Sequence, residues 1–157
     1  MAENSIHFAF PEEDILPHLI QEHHRGLILC HNIHQGLRKN IEPERIQKYC
    51  AWFFKEHIEA HFNVEEQYIF PLLGNSHPFV KKALREHRKI KRLIYESEDV
   101  MKSINLLEEL MEAHIRFEEK NVFTELKKIT TTEFKNALRN NFRTATNVNE
   151  WSDIFWS

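Results

Sequence analysis

Two stretches of the chain repeat one arrangement of metal-capable residues. HFNVEEQYIF begins at His61 and HIRFEEKNVF begins at His114. Each places a histidine first, glutamates four and five residues later, and an aromatic nine residues on. Residues four apart on a helix share nearly one face, about 6 Å apart along the axis. His61 with Glu65, and His114 with Glu118, would therefore each present an imidazole and a carboxylate to a common point. Glu66 and Glu119, about 100° further around, are expected to turn away from it. Imidazole and carboxylate together suit first-row transition metals, and a carboxylate can join two of them. The competing reading is a solvated surface carrying Glu–His pairs.

The apolar neighbours weigh against that surface. Phe53/Phe54, His57, His61, Val64/Glu65, Tyr68 and Leu72 follow one seam, and Leu107, Leu110/Met111, His114 and Phe117/Glu118 follow another. Burying an ionised glutamate without a partner is costly, so two of them beside several imidazoles call for a cation. His87 sits on an inward stripe between Leu84 and Ile90/Ile94. A lone histidine there is ordinarily a hydrogen-bonded core residue, and its weight as a ligand comes from its company.

Upstream, His23, His24, His31 and His34 compete. With Leu27 at zero, the apolar positions of this segment average about −60°, with His23 at about −40°, His34 at about −20°, His31 at about +40° and His24 at about +60°. His34 lies two or three turns further along. His23 is the best-placed ligand, His24 is on its flank, and His31 and His34 read as polar core or rim.

Positioning these side chains requires long helices. Apolar periodicity predicts helices over about 16–39, from Pro43 to the Gly74-Asn75 stop, over 78–98 after Ser76 and Pro78, and over 104–128 with Ser103 as cap. A short fifth helix is expected at about 132–140. The tail carries Trp151, Ile154, Phe155 and Trp156, which suggests docking on the body or on a partner, including a dimer through that tail. Long helices with short connections lie antiparallel. The fold class is therefore all-α: an up-down-up-down antiparallel four-helix bundle over about 12–128, a C-terminal extension over 129–157, and one domain over 1–157. At 1.5 Å per residue, His23 lies about 10 Å from its helix start and His87 about 13 Å, while Glu65, His61 and Glu118 lie about 10, 16 and 15 Å from their helix ends. All these depths are measured from one end of the bundle, so the six residues share a slab. One zinc would take about four ligands, so four histidines and two glutamates suggest a dinuclear centre.

Composition agrees with this picture. The chain has 157 residues, 41% apolar and 29% charged, with a net charge of −3. That balance argues against nucleic-acid or anionic-membrane partners held by bulk charge. No apolar run approaches a membrane span of about 20 residues, and the N-terminus lacks the features of a signal peptide. The setting expected from this is cytoplasmic. Only 3 glycines occur against 11 histidines, which disfavours a glycine-rich phosphate loop. Cys30 and Cys50 read as core thiols, separated by more than about 10 Å on the depth count and so too far apart for a disulfide. Lys81, Lys82, Arg88, Lys89, Lys91 and Arg92 give one helix a basic side, ordinarily a solvated face.

EHHRGLILCHNIHQGL, HFNVEEQYIFP, EHRKIKRLI and HIRFEEKNVF, in that order, resemble the hemerythrin-like, HHE cation-binding domains. The resemblance implies a non-haem di-iron site with metal ligands His23, His61, Glu65, His87, His114 and Glu118. The two glutamates would bridge the irons. Three positions depart from relatives of this type. Ala83 stands where oxygen carriers have a further histidine, Glu118 rather than position 119 supplies the carboxylate, and Phe62 follows His61 where an iron-sensing relative has a glutamate. His57, His24 or solvent would fill the remaining coordination. These departures weigh against reversible oxygen carriage and leave metal binding intact.

The leading expectation is a di-iron protein, with other transition metals as alternatives, that senses, stores or binds O2, NO, peroxide or iron. A di-iron enzyme of peroxidase, oxidase or hydrolase type is second, since a dinuclear site activates water or oxygen, but no separate substrate-recognition feature is visible. A metal-free helical interaction module is third and rests on the aromatic tail.

Overall fold

The computed structural model describes residues 16–129 and 151–157. Residues 12–15 and the expected fifth helix at 132–140 lie outside the described residues. Helix α1 spans Leu16–Arg38. It ends where Asn40 takes a left-handed conformation (φ 54°). The Ile41 N–H then donates to Gly36 O and the Asn40 N–H to Leu37 O, the paired bonds that close a helix at such a residue. Helix α2 covers 43–73, opens with Pro43 in its first turn, and stops at Gly74, whose φ of 93° suits a residue without Cβ. Helix α3 spans Pro78–Ile94 and α4 covers 100–128. Among the described residues there is no strand, and the helices pack antiparallel as a four-helix bundle.

Three boundaries differ from expectation, each because another side chain caps better. The ring Nδ1 of His77, not Ser76, accepts from the Phe79 N–H at 3.1 Å to start α3. That helix ends at Ile94 rather than 98. The Glu96 carboxylate accepts from the Ser97 and Glu98 N–H groups, and Gln47 donates to the Ile94 carbonyl. Asp99, not Ser103, caps α4 by accepting from the Lys102 N–H at 3.2 Å. The helix therefore starts one turn early and buries Ser103.

Two of the long helices are not uniformly α. Helix α2 contains π turns at Phe54–Ile58 and Glu65–Ile69, and α4 contains one at Glu118–Val122. Pro71 follows the second of them inside Phe70–Leu73, where the missing N–H is tolerated at the restart of the α ladder.

The apolar interior is split in two. One cluster gathers Leu29, Ile33, Tyr49, Phe53, Ile90, Leu107 and their neighbours. The other gathers Leu16, Leu19, Phe70, Val80, Ala83, Phe123 and Leu126. Between them lies a buried polar slab of His23, His61, Glu65, His87, His114 and Glu118. Two apolar positions used to set the expected faces are on the surface: Leu27 and Leu72 are each about 40% exposed.

The tail folds back onto the bundle. Phe155 is buried against Gly36, where an added Cβ would come within 2.7 Å of the ring. Trp156 lies 4.7 Å from Tyr49, centroid to centroid. Arg45 forks onto Asp153 at 2.7 and 2.5 Å. Cys30 and Cys50 are free and buried in the same cluster. Among the described residues, no helix is long and apolar enough to cross a membrane.

Candidate metal centre

Each helix contributes to the slab by a simple rule. α1 and α3 each present an adjacent Glu-His pair, Glu22-His23 and Glu86-His87, while α2 and α4 present His-x-x-x-Glu-Glu. The π turns of α2 and α4 begin at Glu65 and Glu118 themselves. Such turns are rare and concentrate at functional sites.

All six side chains singled out in the sequence converge. His23, His61, Glu65 and Glu118 offer ligand atoms within 4.8 Å of one another, and so do Glu65, His87, His114 and Glu118. The two groups share both glutamates. Every Nε2 faces a shared carboxylate. His61 lies 2.8 Å from Glu65, His114 2.7 Å from Glu118, His23 3.1 Å from Glu118, and His87 3.2 Å from each glutamate. The Nε2 atoms of His87 and His114 approach within 3.1 Å, a contact that only a shared proton or a cation makes favourable.

The outer nitrogens are tied as consistently. The Nδ1 of His61 donates to Glu22 at 2.6 Å, that of His87 to Glu66 at 3.0 Å, that of His23 to Glu119 at 3.1 Å and that of His114 to Glu86 at 3.2 Å. Holding the proton on Nδ1 leaves the Nε2 lone pair free for a metal, and such carboxylate–histidine pairs orient metal ligands. Glu66 and Glu119 do turn away from the centre, as expected, and each lands on a histidine of a different helix. These four carboxylates were missed as functional residues. Their signal was visible: every one is adjacent in sequence to a predicted ligand.

The arrangement has an approximate twofold pattern. Exchanging α1 with α3 and α2 with α4 maps each Nδ1–carboxylate contact onto another. Two imidazoles would then serve each candidate metal position, with the two glutamates common to both.

The electrostatics show what the centre lacks without a cation. Burial opposes charge on the imidazoles, but the carboxylates outweigh it. Glu118 and Glu65 hold His23 up to about 10. Glu65 and Glu22 hold His61 up to about 9, and His87 and His114 are also raised. Burial and mutual repulsion would raise Glu65 and Glu118, yet the surrounding imidazoles pull both below the usual carboxylate range. Even so, His61 Nε2 and both oxygens of Glu65 are buried without a hydrogen bond, since the short His61–Glu65 approach is not aligned as one. Orphaned atoms of this kind are expensive, and a metal ion between them would satisfy all three.

The remaining candidates separate clearly. His24, His31 and His34 are exposed, and His34 pairs with Glu108 at 3.3 Å. Phe62 lies flat on His87 at a centroid distance of 3.7 Å, and Ala83 is packed in the apolar cluster. His57 stays off the shared point but helps to wall a cavity of about 20 Å³ beside it.

The Hemerythrin HHE cation binding domain model matches residues 14–126. The chain belongs to this family. No curated protein and no solved structure matches the chain. As an HHE cation-binding domain, it carries two buried His/Glu groups whose common glutamates are consistent with a bridged pair of metal ions.

Proposed function

We propose that this HHE domain is a non-haem di-iron protein that binds a small molecule such as O2, NO or peroxide. The sharing of Glu65 and Glu118 between two histidine pairs carries the reading. His23 and His61 would hold one iron, His87 and His114 the other, with both glutamates bridging. Bound there, iron supplies redox chemistry and open coordination positions for a small ligand.

The chain's own residues support a gas-sized ligand. The cavity beside the centre, about 20 Å³, has room for about one water molecule. It touches His23, His61 and His114, and its other walls include Ile58, Phe62, Met111 and Ile115. A cavity of that size leaves no room for an organic substrate. Phe62 covers His87, while His23, His61 and His114 border the cavity. Glu22, Glu66, Glu86 and Glu119 keep the imidazoles oriented while the ligand enters.

The test is elemental analysis with an optical spectrum of protein purified under iron-replete conditions. About two irons per chain, and a spectrum that changes on adding O2 or NO, are expected. Protein that contains no transition metal under those conditions overturns the proposal.

A further inference from the structure

Helix α3 carries seven cationic residues between Lys81 and Arg92, with Glu86 as the single acid among them. Five of the seven, Lys82, Arg85, Arg88, Lys89 and Arg92, line a groove of about 450 Å³ on the outer side of the bundle. Leu110 of α4 forms part of its wall, and Glu86 lies within it. The Glu86 charge is already engaged, by His114 at 3.2 Å and by Lys82 at 4.0 Å. Arg85, Arg88, Lys89 and Arg92 form no ion pair among the described residues. On α4, Glu108 pairs with His34 and Glu112 with Arg116, while exposed Glu109, next to Leu110, forms no ion pair among the described residues.

A bare cationic stripe of this kind is unfavourable for the fold. Arg85 with Arg88 and Lys89, and Arg92 with Arg88 and Lys89, stand three or four residues apart, where like charges destabilise a helix. The chain as a whole is acidic, at −3, so the stripe does not follow from general composition. A local rule broken without internal compensation marks a functional surface.

We propose that the α3–α4 groove binds a compact polyphosphate anion. Lys82 to Arg92 spans about 15 Å of helix, the reach of a few linked phosphates. Guanidinium forks match phosphate oxygens two at a time. The groove's size is that of a small-molecule site. Its lining includes no aromatic ring, so it reads the phosphates rather than a base. The groove's lining includes none of the six candidate metal ligands. Groove and centre meet at Glu86, which has one oxygen towards Lys82 and the other towards His114.

The test is calorimetric titration of the full-length protein, as purified, with sodium tripolyphosphate in a phosphate-free buffer. Binding that weakens with added salt is expected. The double variant Arg85→Gln/Arg92→Gln, at two exposed positions, is expected to bind at least about tenfold more weakly. Lys81→Gln, exposed on the same helix but outside the groove, is expected to stay within about twofold. Chelation of centre metal affects all three proteins alike, and metal content measured afterwards checks this. Adenosine triphosphate binding no tighter than tripolyphosphate is expected, since the groove offers a base no ring to stack on, and tighter binding overturns the reading of phosphates alone. Unchanged affinity in the double variant, or an equal loss in Lys81→Gln, overturns the site. An acidic peptide or single-stranded oligonucleotide of equal charge binding tighter than both phosphates also overturns the assignment.

Discussion

Replacing Glu22 by alanine removes the shortest of the four carboxylate–imidazole contacts, 2.6 Å from His61 Nδ1. Glu22 is mostly buried, with 11% of its side chain exposed, so water replaces it poorly. His61 would lose the partner that fixes its tautomer and ring plane, with its Nε2 already 2.8 Å from Glu65. Outer carboxylates of this type are worth about 10–100-fold in metal affinity, or about 1.4–2.7 kcal/mol. Burial and the short contact place Glu22→Ala near the upper end. Glu22→Gln keeps a neutral acceptor and falls near the lower end. Glu119→Ala should cost less than Glu22→Ala, because its side chain is 36% exposed and solvent can take over the His23 Nδ1–H. Glu112→Ala, which breaks an exposed pair with Arg116, is the control. The assay is anaerobic competition for ferrous ion against a chromophoric chelator. Melting of each metal-free variant is followed in parallel to separate metal affinity from folding. If Glu22→Ala holds metal as tightly as Glu112→Ala, the outer carboxylates do not orient the centre and the reasoning fails.

His61→Ala and His114→Ala should each reduce metal content strongly, whereas exposed His34→Ala should leave it nearly intact; equal losses by elemental analysis would refute the placement of the slab. Metal loading at pH 8 should release protons, since His23 and His61 are held up to about 10 and 9 in the metal-free protein and coordination needs neutral imidazole; calorimetry in buffers of different ionisation enthalpy measures this, and zero release contradicts it. In the metal-free protein, burial would raise Glu22, but His18 and His61 pull it from 4.5 down to about 2. The stability it contributes should be complete above pH 4.5 and lost as pH falls toward about 2, so the acid limb of a melting-temperature profile should flatten in Glu22→Gln. Phe155→Ala should cost about 3 kcal/mol in denaturant unfolding, because the ring fills the space over Gly36; an unchanged midpoint would mean that the tail is not docked.

Much of this fold was legible because it rests on period and depth. The seams through Phe53 and Leu107 set two buried faces, and counting from the helix ends placed six ligand-capable side chains in one layer. On α1 the structure buries His23 and leaves His24, His31 and His34 exposed, and Leu27, the reference for that count, is exposed too. The burial of His23 follows from the whole stripe of Leu16, Leu19, Gly26 and Cys30, not from any one residue. Caps were less legible: the His77 ring took the Phe79 N–H beside Ser76, and Asp99 started α4 one turn before Ser103. The π turns were not legible at all. Nothing in HFNVEEQYIF separates an i→i+5 turn from an α turn, since its apolar spacing fits either. The outer carboxylates were read only as residues turning away, since a helical wheel gives direction and not the neighbouring helix in that direction.

The twofold pattern of the centre raises the question of what could make its two halves act differently. The ligand types are the same on both sides: two histidines, two shared glutamates and two outer carboxylates. The difference therefore lies in the apolar surroundings. On the α3 side, Phe62 stacks on His87 and Phe70 lies 5.5 Å from it, so the imidazole is sealed under aromatic rings. On the α1 side, His23 stacks on Phe123 at 5.3 Å and borders the small cavity together with His61, His114 and the closely packed Gly26. That close approach is also fixed, since a Cβ on Gly26 would meet Ile115 at 2.7 Å. Repeated coordination chemistry thus offers two similar candidate metal positions, and the apolar side chains around them make their surroundings unequal.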